Sequence, residues 1–201
     1  MAFNIFPKNN FEKNSLAVLV IIFIIIFGLF NLYYYKYLIP VQENLVVSSQ
    51  ENLDSKIKAF GLKIDKLDIL VPVIKNVDGS DKTAYNEALN QGVAHYKGMA
   101  LPGQGSNIFI FGHSSTVLNQ GNYATIFARL NELEKDDKAI VYFEGKKYEY
   151  SVTEKEVVKK TDIGVLNPTP KEQLTLMTCW PIGTNQKRLV VKFNLNETLP
   201  L

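Results

Sequence analysis

The chain is short of the side chains that most often carry chemistry. It has one cysteine, Cys179, two histidines, His95 and His113, and two arginines, Arg129 and Arg188. A single cysteine excludes an internal disulfide. Neither charge dominates: the formal charge is +2, and removing Lys8, Lys13, Lys36 and Glu12 with the first forty residues leaves zero. That balance gives no footprint for nucleic acid. Repeats and low-complexity tracts are absent. A further scarcity is local, since no charged residue occurs from Asn14 to Tyr35.

That uncharged stretch is what remains of a chain otherwise mixed in character. Leu16 to Phe27 is nearly pure hydrocarbon, and a helix from Leu16 to Tyr35 would span roughly 30 Å, the depth of a bilayer core. Tyr33, Tyr34, Tyr35 and Tyr37 gather at one end, where amphipathic rings favour the water–lipid interface. A cleaved signal would have a shorter core, about 7–15 residues, and a small-residue site; this run ends in bulky tyrosines. A buried core helix would not be apolar on every face. Lys8 and Lys13 precede the run and favour a cytoplasmic N-terminus, against Lys36 on the other side. The expected organisation is a cytoplasmic tail over 1–15, a transmembrane anchor over 16–38, a polar stalk over 39–61 and a folded domain over 62–201.

Within that domain the signals are mostly those of short strands. Leu67 to Ile74 reads as a strand pair or a strand with an edge proline, and Asp78-Gly79 as a turn. Thr83 to Asn90 reads as a short helix capped by Asp81. Asn107 to Phe111 is a buried strand, ended by Gly112-His113-Ser114-Ser115. Ala124 to Leu133 carries a helical pattern, with Ile126, Phe127 and Leu130 on one side. Ala139 to Phe143 and Lys147 to Val152 form a hairpin about Gly145, and Glu154 to Lys160 continues as a charged strand. Asp162 to Pro170 is a loop. Leu174, Leu176 and Thr178 alternate with Thr175, Met177 and Cys179, the period of a half-buried strand. Trp180-Pro181-Ile182-Gly183 breaks that run, and Leu189 to Phe193 brings the chain back behind Arg188. The fold class expected is mostly β and barrel-like.

This spacing puts Cys179 at the exposed end of a strand, with Arg188 facing it from the next. An unpaired cysteine outside the membrane is either a reactive thiol or a small buried hydrophobe. A reactive thiol needs a cationic neighbour or a base, and a donor for the oxyanion. His113, at the end of an apolar strand, is favoured over His95, which sits in a turn-like stretch. Arg129 is expected to pair with Glu132 on its own helical segment.

Gly112-His113-Ser114, Thr175-Leu176-Met177-Thr178-Cys179 and the downstream Arg188 together resemble the sortases, membrane-anchored cysteine transpeptidases of the bacterial surface. Ala100-Leu101-Pro102-Gly103, Asn122-Tyr123 and Asp162-Ile163-Gly164-Val165-Leu166 resemble further family features, so the likeness runs from about Leu67 to Phe193. It implies a closed eight-stranded β-barrel with two or three short helices. It implies Cys179 as nucleophile, His113 as the acid/base group and Arg188 as the holder of the carbonyl or oxyanion, with His95 at a family position outside that set. Thr178 would help shape the pocket.

The implied reaction cleaves a C-terminal sorting signal of the Leu-Pro-x-Thr-Gly type in an exported protein. A thioester forms and passes to an amine, either a peptidoglycan precursor or a pilin lysine. No cofactor is implied. Some sortases bind calcium through acids before the histidine strand, and Leu101 to Ser106 has none. The acids Glu132, Glu134, Asp136 and Asp137 read as a solvated helix end, since calcium needs six or more converging oxygens. Trp180-Pro181 resembles subclasses D or E more than A. Two readings outside the family compete: another extracytoplasmic Cys/His enzyme, such as an L,D-transpeptidase or amidase, and an anchored binding module with an inert thiol.

Overall fold

The structure is a computed structural model that describes residues 10–115 and 121–201. Most of the tail expected over 1–15, Lys8 included, lies outside the described residues. The chain divides into two units, Met1–Glu51 and Asn52–Leu201.

The described part of the first unit is helical. Helix α1 (Asn10–Tyr33) runs through a short π-helical stretch, Tyr34–Leu38, into α2 (Ile39–Ala59). Val18–Tyr37 is long and apolar enough to cross a membrane, and its side chains are unburied. The segment expected as a polar stalk is therefore a helix. From Val41 to Phe60 it contains neither glycine nor proline, and Lys56 and Lys58 occupy the last turn, where cations favour the helix dipole.

The second unit is a closed barrel of eight strands: β1 (Phe60–Ile64), β2 (Ile69–Val77), β3 (Val93–Tyr96), β4 (Asn107–Phe111), β5 (Lys138–Phe143), β6 (Lys146–Lys159), β7 (Gln173–Trp180) and β8 (Lys187–Pro200). Their order around the barrel is β1-β2-β3-β4-β7-β8-β6-β5, with β5 pairing back onto β1. Only β2–β3 and β4–β7 are parallel. Helix α3 (Lys82–Gln91) crosses between β2 and β3, which is how those parallel neighbours are joined. Asp81 caps it, its carboxylate accepting from the Thr83 and Ala84 N–H groups at 2.9 and 3.2 Å.

Pro72 lies inside β2, yet the ladder to β3 starts one residue later, at Val73. The lost donor therefore falls at a ladder end. His95 sits in a strand, β3, rather than in a turn. The segment after residue 120 is a chain of turns with a 3₁₀ turn at Leu130–Glu132, in place of the expected helix. Phe127 and Leu130 are still buried, as their spacing implied.

The interior is filled by alternating residues of each strand, such as Ile108 and Ile110 of β4 and Leu174 and Leu176 of β7. The outward residues of β4, Phe109 and Phe111, are covered too. They form a second cluster with Val77, Ala88, Leu89 and Ala94 under α3. That is why β4 reads as continuously apolar. On β7 the outward row is Thr175, Met177 and Cys179, so the thiol stands on the covered outer face and not inside the barrel.

Candidate active site

Strand β7 delivers Cys179 as its last residue but one, half-buried. Across the β7–β8 ladder Cys179 is the direct partner of Arg188. The connecting turn is tied by Thr184, whose N–H and hydroxyl both donate to the Pro181 carbonyl at 3.0 and 2.8 Å, and Gly183 takes a φ of 81°. This brings Asn185 to the thiol, with Cys179 Sγ 3.7 Å from its Oδ1.

His113 arrives by the other neighbour. The parallel β4–β7 register ends at Phe111 opposite Met177, and the Gly112 N–H extends it by donating to the Met177 carbonyl at 3.1 Å. Thr178 Oγ1 donates to the Gly112 carbonyl at 2.8 Å. The next residue in each chain is His113 and Cys179. Gly112 must be glycine here, because a Cβ would stand 2.8 Å from the Phe127 ring and 3.2 Å from Val93 Cγ1. Phe127 in turn donates its N–H to the His113 carbonyl at 2.9 Å.

Cys179, His113, Arg188 and Asn185 line one cleft. Burial pushes the His113 imidazole below its ordinary value, so it is neutral at neutral pH. Arg188 is half-buried; its Nη1 donates to the Lys187 carbonyl at 2.9 Å, and it meets no carboxylate among the described residues. An unneutralised guanidinium beside a thiol and a neutral imidazole can stabilise negative sulfur or oxygen and move a proton.

An apolar groove of about 220 Å³ opens from the same thiol along Met177, Phe109, Phe111 and Tyr96. Its far wall is the β6–β7 loop, with Val165 and Leu166. Asn107 anchors that loop, its Nδ2 donating to the Val165 and Asn167 carbonyls at 3.0 and 3.1 Å. At the rim, Gly79 lies flat on the Tyr96 ring, where a Cβ would be 2.5 Å away. Asp78 pins that turn: it accepts from the Ser80 hydroxyl and N–H and from Lys97, and these bonds, those from Ser80 foremost, hold its carboxyl down at about 2.

The remaining candidates stand apart. His95 is fully buried with both nitrogens used: Nδ1 accepts from the Asn76 N–H at 3.3 Å and Nε2 donates to the Ala100 carbonyl at 2.9 Å. Arg129 pairs with Glu132 at 2.7 Å, as its spacing implied. Asp137 is held by Lys66 at 2.7 Å and by the Glu134 N–H. Among the described residues no cluster of three or more His, Cys, Asp or Glu side chains is placed to hold a metal. Tyr85, which lines both the cleft and the groove, was not singled out by the sequence. An aromatic on a short polar helix, three and four residues before the buried Ala88 and Leu89, was the available sign.

A closed barrel with a thiol at one strand end, flanked by an imidazole and a guanidinium from the two neighbouring strands, is the layout of a thiol-dependent acyl-transfer enzyme. The Sortase domain family matches residues 62–196, and the chain belongs to that family. Sortase D of Bacillus subtilis is 29% identical over 65% of this chain and 60% of its own length. Sortase A of Bacillus anthracis is 28% identical over 78% of this chain and 69% of its own. Among solved structures, sortase C-1 of Actinomyces oris superposes with a TM-score of 0.59 at 29% identity, covering 69% of this chain and 73% of that one.

Proposed function

We propose that this chain is a sortase-type transpeptidase with Cys179, His113 and Arg188 as its catalytic residues. Its N-terminus would be cytoplasmic, Val18–Tyr37 its membrane span and the barrel outside the cell. The observation that carries the reading is the convergence of those three side chains on one cleft.

The chemistry follows from their types. Cys179 gives its proton to the neutral His113 and attacks the scissile carbonyl of a C-terminal sorting signal of the Leu-Pro-x-Thr-Gly type. Arg188 holds the tetrahedral oxyanion. The imidazolium returns the proton to the leaving amine as the C–N bond breaks, which leaves a thioester on Cys179. An acceptor amine, from a peptidoglycan precursor or a pilin lysine, then attacks the thioester and loses a proton to His113. The collapse forms an amide and regenerates the thiol. The apolar groove fits the non-polar part of the signal, and the anchor would keep the enzyme where exported substrates emerge.

The test is to incubate the full chain, in detergent, with peptides carrying variant signals and a small amine. Mass spectrometry should show an acyl-enzyme at Cys179 and an amide product, both lost in Cys179→Ala. Transfer persisting in that variant would end the assignment.

A further inference from the structure

Two clefts meet at the thiol. One is apolar, with Tyr96, Phe109, Phe111 and Met177. The other is polar, with Ser80, Lys82, Asn86, His113 and Asn185. Gly79, Tyr85, Cys179 and Arg188 line both. Cys179 and Arg188 have tasks in the transfer reaction, and Gly79 has no side chain. Tyr85 is the junction side chain left without one.

Its ring is fixed from two directions. It stacks on Phe111, with centroids 5.5 Å apart and planes at 11°. It meets the His113 imidazole edge to face, at 5.8 Å and 77°. Helix α3 behind it is rigidly started by the Asp81 cap and seated by the buried Ala88 and Leu89. A thiol–imidazole pair needs a third group to orient the base. The one described hydrogen bond of His113 is at its main chain, where the carbonyl accepts from the Phe127 N–H at 2.9 Å. Among the described residues, the Tyr85 ring is the side chain in contact with the imidazole, and that contact sets its orientation.

We propose that Tyr85 is a positioning residue, whose ring, braced on Phe111, takes the place of the usual hydrogen-bonded orienter of His113. The inference rests on the transpeptidase reading for its kinetic consequence but not for its geometry. The ionisable groups sharing the polar cleft with His113 are Lys82, Tyr85, Cys179 and Arg188. Burial, followed by the charge of Cys179, raises the Tyr85 hydroxyl above its ordinary value, so the ring stays neutral throughout the working pH range.

The experiment uses the full chain in detergent with Tyr85→Leu and Tyr85→Phe. Proton NMR titration reads the two imidazoles directly, and His95→Gln assigns them. In Tyr85→Leu the His113 titration should move up toward the ordinary 6.5, because a side of the ring is opened to water. With a sorting peptide and a glycine amine, kcat should fall roughly ten- to a hundredfold with KM little changed. The acid limb of the rate profile should move with the titration. Tyr85→Phe restores the ring and should recover most of kcat and the original titration. Should Tyr85→Leu fail to fold, Tyr85→Met carries the same test. A leucine variant with the parent's titration or kcat overturns the proposal, as does a phenylalanine variant as slow as leucine. If no sorting peptide acylates the parent chain, the transpeptidase reading falls, while the NMR titration still decides whether the ring holds His113.

Discussion

Arg188 is a strong charge with no carboxylate opposite it among the described residues. Its stem is half-buried and one nitrogen is spent on its own neighbour's carbonyl, so the fork is held with its other donors toward the cleft. A lysine would keep the charge and lose the planar pair of donors. Arg188→Lys should therefore lower kcat/KM for peptide acylation by about 100-fold, the scale of a lost oxyanion donor, with the fold unchanged by circular dichroism. His113 gives a second prediction at this scale. Its folded value lies below 6.5 because burial disfavours the cation. The neutral base is thus fully present above 6.5 and is lost as pH falls through the lower, folded value. The acid limb of acylation should lie below pH 6.5, and a limb centred above 6.5 would contradict the neutral-base assignment.

Among the elements, the loop before β4 is held by one buried carboxylate. Glu172 accepts from the Gly103 and Gly105 N–H groups at 2.9 and 3.1 Å and from the Tyr150 hydroxyl at 2.8 Å. Glu172→Ala would leave three donors without a partner and should cost about 2–4 kcal/mol in urea denaturation. The β7–β8 pair was legible in sequence because a turn between two apolar runs sets its own register, and that register places Arg188 against Cys179. His113 was legible because Gly112 ends a short run of apolar residues. Tyr85 was not: its contact with His113 depends on α3 lying across the outer face of β4, a non-local event. The helicity of α2 was hidden for another reason. A helix polar on most faces has no periodicity to show, and only the absence of glycine and proline marks it. Ala124 to Leu133 failed in the opposite sense, as their helical spacing buries Phe127 and Leu130 through successive tight turns.

For the molecule as a whole, both histidines are buried and pushed below their ordinary value, His95 chiefly by burial and further by the charge of Lys75. The unfolded chain therefore binds more protons than the folded one just below 6.5. Stability should be complete above that value and decline as pH falls through the folded values. Urea midpoints measured between pH 7.5 and roughly pH 5 should fall, and His95→Gln should flatten part of the slope. A chelator should leave transfer unchanged, because Glu132, Glu134 and Asp137, three of the four acids that could have gathered around a cation, are engaged by Arg129 and Lys66 instead. Transfer that stops on adding chelator and returns with calcium would contradict this.

Every strand of the barrel has a neighbour on each side. Beside the thiol, Arg188 of β8 is paired on both edges, with Cys179 of β7 and Val158 of β6, so a visiting polypeptide finds no vacant rim on that strand and main-chain hydrogen bonding there can supply little of its grip. Recognition has to come from side chains settling into the groove beside the thiol. Two peptides with the same backbone and a shuffled order of residues should accordingly differ in binding by nearly the whole affinity, and not by a fraction of it.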